Sequence, residues 1–351
     1  SGPVSVYKNL TLTKLLATQQ INKATAKTKA IYVLREDVSK FLHIDIFNIN
    51  LTNQGSLNAS GVSGILSFSG NLITVNDDSG TWGNINSGSS VNSSNGFNIT
   101  ASSDIVNGTM LNLQLHIQDN NGYDRIESVT LKVGTVSTDD PLGPDQYGYY
   151  IYDSGDTDYD LSPSYDWIEI SSSGSNLNLS NSGNGNWSGN GPLEDVDLPF
   201  TFTFYGVDYN SMTVCTNGWI ALGESNAEAF RNYPIPGAGG PSPMIAAFWD
   251  DLETGSNGNV YVYSSNDYVI VEWKDMRTNF SNSLETFQII LYNDSNLPYG
   301  DNSMKVQYQE FNNTSSGNFN AYPPIHGSYA TIGIENHLAD DGLQYSYYDE
   351  Y

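Results

Sequence analysis

Apolar and polar positions alternate with a period of two along most of this chain, and the alternation breaks wherever Gly, Asn, Asp and Ser gather. A period of two turns successive side chains to opposite faces of a sheet, so the pattern predicts strands joined by tight turns. It is clearest over 198–223, LPFTFTFYGVDYNSMTVCTNGWIALG. Phe200, Phe202 and Phe204 alternate with Thr201 and Thr203, which puts three rings on one face and hydroxyls on the other. Gly206 interrupts the run, Met212 and Val214 resume it, and Trp219, Ile220, Ala221 and Leu222 return as the next strand. Between them stands Asn217-Gly218, the dipeptide that accepts the positive φ angles of a type I′ hairpin turn. This stretch is the predicted hydrophobic centre of the larger of two domains.

Read in order, the chain divides into four parts. In 1–29, Val4, Val6, Leu10 and Leu12 alternate with polar residues as a strand does, and 17–29 hold little that is apolar. A polar terminus of this kind stays ordered only against a surface, and an alternating strand can add to an open sheet edge, on its own domain or on a neighbouring copy. Residues 30–134 hold candidate strands at 30–34, 41–51, 62–67, 72–75, 97–101, 110–118 and 126–133. Turn signals at Gly55, Gly70, Asp77-Asp78-Ser79-Gly80, Asn107-Gly108 and Asn121-Gly122 separate them. Short strands at this density match the immunoglobulin-like pattern, here without its cysteines. Residues 135–147, TVSTDDPLGPDQY, read as a linker. The rest, 148–351, continues with strands at 244–249, 260–263, 268–273, 286–292, 304–308, 330–335 and 343–347. Its Ser/Gly/Asn-rich stretch, 171–191, is expected to be an exposed loop. The expectation is an all-β chain of two tandem β-sandwich domains behind an extended N-terminal arm.

Several segments carry a resemblance. LTNQGSLNASGVSGILS, LITVNDDSGTWGNINSGSSV and FNITASSDIVNGTMLNLQLHIQDNNG resemble an Ig-like module of secreted bacterial proteins that often follows peptidase domains, gingipain-like cysteine peptidases among them. The first 40 residues depart from that pattern. LPFTFTFYG, VCTNGWIALG, MIAAFWDDL, YVIVEWKDM, ETFQIILYN and YATIGIENHLADDGLQYSY resemble, in that order, a nidogen-like, jelly-roll-like sandwich module. GPDQYGYYIYDSGDTDY is similar to the same gingipain-like multidomain proteins. The resemblance implies a secreted or cell-surface setting and an accessory role, and it implies no ligand. The peptidase domain is not in this chain, so its catalytic Cys and His have no counterpart here.

Charge sharpens the picture. The chain of 351 residues carries a formal net charge of −26, which repels phosphate backbones and sets nucleic acid aside as a partner. The charge is also split: 1–40 hold seven Lys and Arg against Glu36 and Asp37, leaving +5 there and −31 on the rest. A basic head on an acidic body favours contact of the head with an acidic surface, and chance clustering is the plain alternative. The single cysteine, Cys215, excludes an internal disulfide without excluding secretion. No apolar run reaches the length of a membrane-spanning helix, and there is no signal-peptide core. Ser1 is either a mature N-terminus or a fragment boundary.

No GxSxG, HExxH, CxxC, P-loop or GxGxxG motif is present, and no catalytic residue is assigned. Cys215 with His326 or His337 as a dyad is weaker than Cys215 as a small apolar strand residue. Asp250, Asp251 and Glu272 could supply a glycosidase pair, but adjacent Asp residues at a strand end are first of all turn formers. Calcium is the cofactor the sequence raises. Asp153, Asp156, Asp158 and Asp160 alternate on one loop and could converge on a hard cation, against the alternative of a solvated acidic loop. Asp250, Asp251 and Glu253 form a second, sparser cluster. Trp187 lies in the polar loop, where an indole has a reason to be only if it packs or binds something such as a sugar; Trp167, Trp219, Trp249 and Trp273 sit in strand patterns. Sequons at Asn50, Asn58, Asn98, Asn107, Asn178, Asn186, Asn279 and Asn312 allow glycosylation. Together these residues predict a non-catalytic extracellular structural or adhesive surface protein that self-associates through its N-terminal strand or contacts another surface protein. The alternatives are accessory modules of a gingipain-like peptidase, or a carbohydrate-binding module.

Overall fold

A computed structural model describes residues 30–35, 41–70, 72–102, 105–133, 136–279, 281–294, 300–313 and 329–347. The arm, with Val4, Val6, Leu10 and Leu12, lies outside them. Every regular element among the described residues is a β-strand, as the period-two pattern predicts. They fall into two compact units.

The first unit occupies 41–137. One antiparallel sheet runs Asp124–Lys132, Met110–Gln118, Ala59–Ser67, Ser79–Ile85, and another runs Phe41–Phe47, Phe97–Ser102, Ile73–Asp77. Asn50–Thr52 and Ser90–Asn92 make a further pair. In Met110–Gln118 the alternation is complete: Leu111, Leu113, Leu115 and Ile117 are buried, while Asn112, Gln114 and Gln118 are exposed. The strand Ser79–Ile85 falls where the sequence predicts only a turn, because its inward positions are Gly80, Trp82 and Ile85, which break the period of two, and glycine shows no hydrophobic signal. Gly80 is required there: a Cβ would come within 2.3 Å of the Phe97 ring.

The second unit joins Ala30–Arg35 to 138–347. Leu193–Phe204, Val207–Cys215, Trp219–Leu222, Met244–Trp249, Thr331–Glu335 and Gly342–Ser346 form a six-stranded antiparallel sheet in that order. The opposing sheet runs Tyr149–Asp153, Ala30–Arg35, Met304–Glu310, Leu284–Tyr292, Tyr268–Thr278, Asn259–Ser264, Ser175–Asn176, with Leu252–Glu253 beside Tyr268–Thr278. Between the sheets pack Phe202, Phe204, Val214, Ile220 and Ile332 from the first and Val271, Trp273, Phe287, Ile289 and Tyr308 from the second. Two buried donors cross this core. Trp273 Nε1 donates to the Cys215 carbonyl at 2.8 Å, and Tyr308 Oη donates to the Ala247 carbonyl at 2.7 Å. Both sheets are also covered on their outer faces. Trp219, Met244 and Trp249 pack with Ile235, and Ile270 and Ile290 pack with Ile170. Burial on both faces is why Met244–Trp249 reads as an unbroken apolar run.

Three expectations change. The alternation at 30–34 marks a strand, but Ala30–Arg35 does not open the first sandwich. It lies between Tyr149–Asp153 and Met304–Glu310, with Arg35 opposite Tyr149 and Ala30 opposite Gln307. A period of two reports a strand and is silent about its partner. The first sandwich is therefore, by connectivity, an insert in a hairpin of the second. Next, the turn at Asn217-Gly218 is a three-residue loop, with Cys215 opposite Trp219, and of the pair only Gly218 has positive φ, at 79°. A Cβ on Gly218 would lie 1.9 Å from the Phe248 carbonyl oxygen, so glycine is obligatory, and Asn217 serves through its side chain instead. Lastly, parts of 171–191 are built into the unit: Leu179 joins the core, and Asn181 is 4% exposed.

Candidate functional site

The Asn217 side chain begins a network that shapes one end of the second sandwich. Its Nδ2 donates to the Glu228 carbonyl at 3.1 Å, and its Oδ1 accepts from Asn181 Nδ2 at 2.9 Å and from the Leu252 N–H at 3.1 Å. Trp219 and Trp249, buried in neighbouring strands, both send Nε1 to the Ala229 carbonyl, at 3.0 and 2.9 Å. The segment 228–229 is thus held by one side chain from the hairpin loop and two from the sheet. Opposite it, the strand Met244–Trp249 ends and the chain turns at Asp250-Asp251. Both oxygens of Asp251 accept the Asn184 N–H, at 3.0 and 2.9 Å, and Oδ2 also accepts from Asn279 Nδ2 at 2.7 Å. This carboxylate fixes the turn 183–186, in which Gly183, Asn184 and Gly185 all have positive φ.

Between these two fixed segments lies a groove of about 370 Å³, lined by Asn184, Gly185, Glu228, Phe230, Arg231, Tyr233 and Gly239. Phe230 forms its floor against Gly185, where a Cβ would meet the ring at 2.7 Å. The Arg231 guanidinium stands 5.5 Å from the Phe230 ring centroid, over its face. Trp187, 48% exposed, adjoins the groove through Glu228, to whose Oε1 its Nε1 donates at 3.2 Å. Tyr233, 42% exposed, leans on Trp249 with ring centroids 6.3 Å apart. Exposed aromatic faces beside polar ends are what a binding groove presents and what a folding core buries.

Around the Asp250-Asp251 turn the electrostatics are those of buried acids. Burial, with repulsion from Asp251 as a smaller contribution, pushes the Asp250 carboxyl up to about 7, although the Asp251 N–H donates to it at 2.7 Å. Burial likewise pushes Glu285 up to about 8, against hydrogen bonds from Asn312, Ser283 and Asn313. Glu272, buried on the other sheet, is pushed up to about 7. Asp250 and Asp251 are thus turn and anchor, as their position at a strand end predicts. Cys215 is fully buried and its thiol is pushed up to about 12, which suits the apolar strand residue expected; His326 lies outside the described residues.

The calcium candidates differ in burial. Asp153 and Asp156 are buried, while Asp158 and Asp160 are exposed. Asp153 accepts the Gly155 N–H at 2.6 Å and the Tyr345 hydroxyl at 2.8 Å, and Asp156 accepts the Asp153 N–H at 2.8 Å. Among the described residues no three His, Cys, Asp or Glu side chains are gathered as a metal-ligand set. Asp160 instead lines a larger hollow of about 460 Å³ with Ser162, Asp267, Tyr292, Asp294 and Lys305. Of the sequon asparagines, Asn58, Asn178, Asn186 and Asn312 are exposed, and Asn50, Asn98, Asn107 and Asn279 are half-buried. The Asn279 amide is committed to Asp251. Trp167 is half-buried and not a full core residue.

Glu228, Phe230, Arg231 and Tyr233 are the groove residues that the alternation passes over. Their signal was the one that marks Trp187: aromatic rings in a Gly- and Pro-rich segment without strand periodicity, where no sheet face exists to take them.

A family model described as NIDO related matches residues 159–349, more than half of the chain. No solved structure matches it. The matched segment contains the groove and leaves out Ala30–Arg35 and Tyr149–Asp153, two strands of the larger sheet.

Proposed function

The chain belongs to the NIDO-related family, a non-catalytic module type of extracellular, structural character, and from that premise we propose that it is an adhesive surface protein working through the groove. The observation that carries this reading is Trp187, a solvent-exposed indole held in place by Glu228 on a turn that a buried carboxylate anchors. An adhesive contact needs rigid aromatic surface that is already in position before the partner arrives. The reading includes secretion to the cell surface. It also includes self-association through 1–29, which the division into a basic head and an acidic body supports. Calcium at the 153–160 loop belongs to the same proposal and requires Asp153 and Asp156 to exchange their present hydrogen bonds for the ion. The gingipain-like accessory role has no support beyond the resemblance of its segments. The test is adhesion of beads carrying the chain to cells of the organism that makes it. Adhesion that is lost with Trp187→Ala at unchanged melting temperature supports the reading, and adhesion that survives this change sinks it.

A further inference from the structure

The chemistry of the groove narrows its ligand. Tyr233 lines the groove, Trp187 adjoins it through its hydrogen bond to Glu228, and both present exposed flat faces. The Glu228 carboxylate accepts hydrogen bonds and the Arg231 guanidinium only donates them. A ligand that meets both within about 370 Å³ carries acceptors and donors side by side, a property that hydroxyls on one ring have. A sugar ring also has what the aromatic faces require: an apolar C–H face on one side and a hydroxyl rim around it.

Charge excludes the main competitors. The body outside the first 40 residues carries −31, a field that repels polyanions, so uronate and sulfated polymers are disfavoured. A cation would find Arg231 in the same groove as Glu228. A neutral ligand meets neither objection. Preorganisation points the same way. The indole of Trp187 is already oriented by Glu228, and 228–229 is pinned by Asn217, Trp219 and Trp249, so the entropy of ordering the platform is spent on folding rather than on binding. Weak, polar, solvent-competing ligands such as sugars depend on that condition more than large apolar partners do.

We propose that this groove binds a neutral carbohydrate, one hexose-type ring stacked on Trp187 with its hydroxyls on Glu228 and Arg231, and with Tyr233 as the second aromatic contact. The inference rests on the adhesive reading above and names the ligand class of the same site.

The test is binding of the full chain to an array of neutral gluco-, manno-, galacto- and N-acetylhexosamine oligosaccharides beside uronate-containing ones, with calorimetry on the hits. The expected result is binding to a neutral oligosaccharide that weakens at least tenfold in Trp187→Ala and in Tyr233→Ala and is largely kept in Trp187→Phe. Binding that is unchanged in Trp187→Ala, or the absence of any neutral hit, overturns the inference. Hits confined to uronates overturn the neutral class and transfer the recognition to Arg231. If bead adhesion is lost in Trp187→Ala while no oligosaccharide binds, the adhesive reading stands and the carbohydrate falls. If adhesion survives Trp187→Ala, the adhesive reading falls whatever the array shows.

Discussion

Tyr345 donates its hydroxyl to Asp153 Oδ2 at 2.8 Å, tying the last described strand to the start of the acidic loop. The same pairing recurs in this unit: Tyr205 with Asp145 at 2.5 Å, Tyr159 with Asp140 at 2.7 Å and Tyr147 with Asp301 at 3.3 Å. Acidic residues outnumber basic ones by 39 to 13, so cations are scarce, and tyrosine hydroxyls do the work that Lys and Arg do elsewhere.

Tyr345→Phe is therefore expected to lower stability by about 1–3 kcal/mol, the cost of taking one donor from a buried carboxylate. The same variant examines the calcium proposal. If Asp153 is a ligand, removing the competing hydroxyl tightens calcium uptake in a calorimetric titration, and Asp156→Asn abolishes it. Equal affinity in Tyr345→Phe and the unaltered chain removes Asp153 from the ligand set.

Tyr308→Phe examines the core. Its hydroxyl is the donor to the Ala247 carbonyl across the sandwich, so the substitution keeps the packing and orphans that carbonyl. The expected loss is about 1–3 kcal/mol in urea unfolding with an unchanged slope. Trp273→Ala, which also empties a large core site, is expected to lose about 3–5 kcal/mol.

Asp251→Ala is expected to loosen the groove without emptying the core. It leaves the Asn184 N–H and the Asn279 amide without the carboxylate that orders them. Trp187 then becomes more accessible to a collisional quencher, and ligand binding weakens with it. Quenching equal to that of the unaltered chain would show that the turn holds its shape by other means.

Stability is expected to fall as pH rises. The folded-state values of Asp250 and Glu285, about 7 and about 8, lie above the ordinary carboxylate range. A raised carboxyl contributes its full stabilisation below its unfolded-state value and loses it as pH climbs through the folded one. Each unit of displacement is worth about 1.4 kcal/mol, so the decline between pH 4 and 8 is large enough to read in urea unfolding. Asp250→Asn should lessen it and leave the part that Glu285 and Glu272 contribute. A chain more stable at pH 8 than at pH 5 contradicts the burial of these acids.

Removal of residues 1–16 is expected to abolish self-association, read as native mass by light scattering, and to leave the melting of both sandwiches in place. Added salt should act in the same direction, because the attraction invoked is between +5 and −31.

Strand positions were legible in the sequence wherever one face of a sheet is apolar. Phe202 and Phe204 are buried while Thr201 is exposed, and the Met110–Gln118 strand stands residue for residue where the alternation puts it. Partners were not legible. Ala30–Arg35 carries the same signal whichever sheet receives it, and only the closing of the larger sheet decides. The groove was half legible. Trp187 declares itself as an indole without a strand, and the Asp250-Asp251 turn by its position. What joins them is a carboxylate accepting a backbone N–H 67 residues away, and no local pattern encodes such a bond.

The hairpin that receives the first sandwich has a mechanical consequence. Arg35 faces Tyr149 in its register, so to the larger sheet everything from 36 to 148 is a single loop. Tension applied ahead of Ala30 reaches the strand Ala30–Arg35 before the rest of the sheet and is resisted by its hydrogen bonds to neighbours on both sides. The inserted sandwich sits on a slack branch and bears no load while that strand holds. When the strand tears out, the branch becomes part of the line, and a folded domain's length of chain is paid out before the remainder of the sheet is strained. The connectivity makes Ala30–Arg35 a fuse, and the first sandwich the slack behind it.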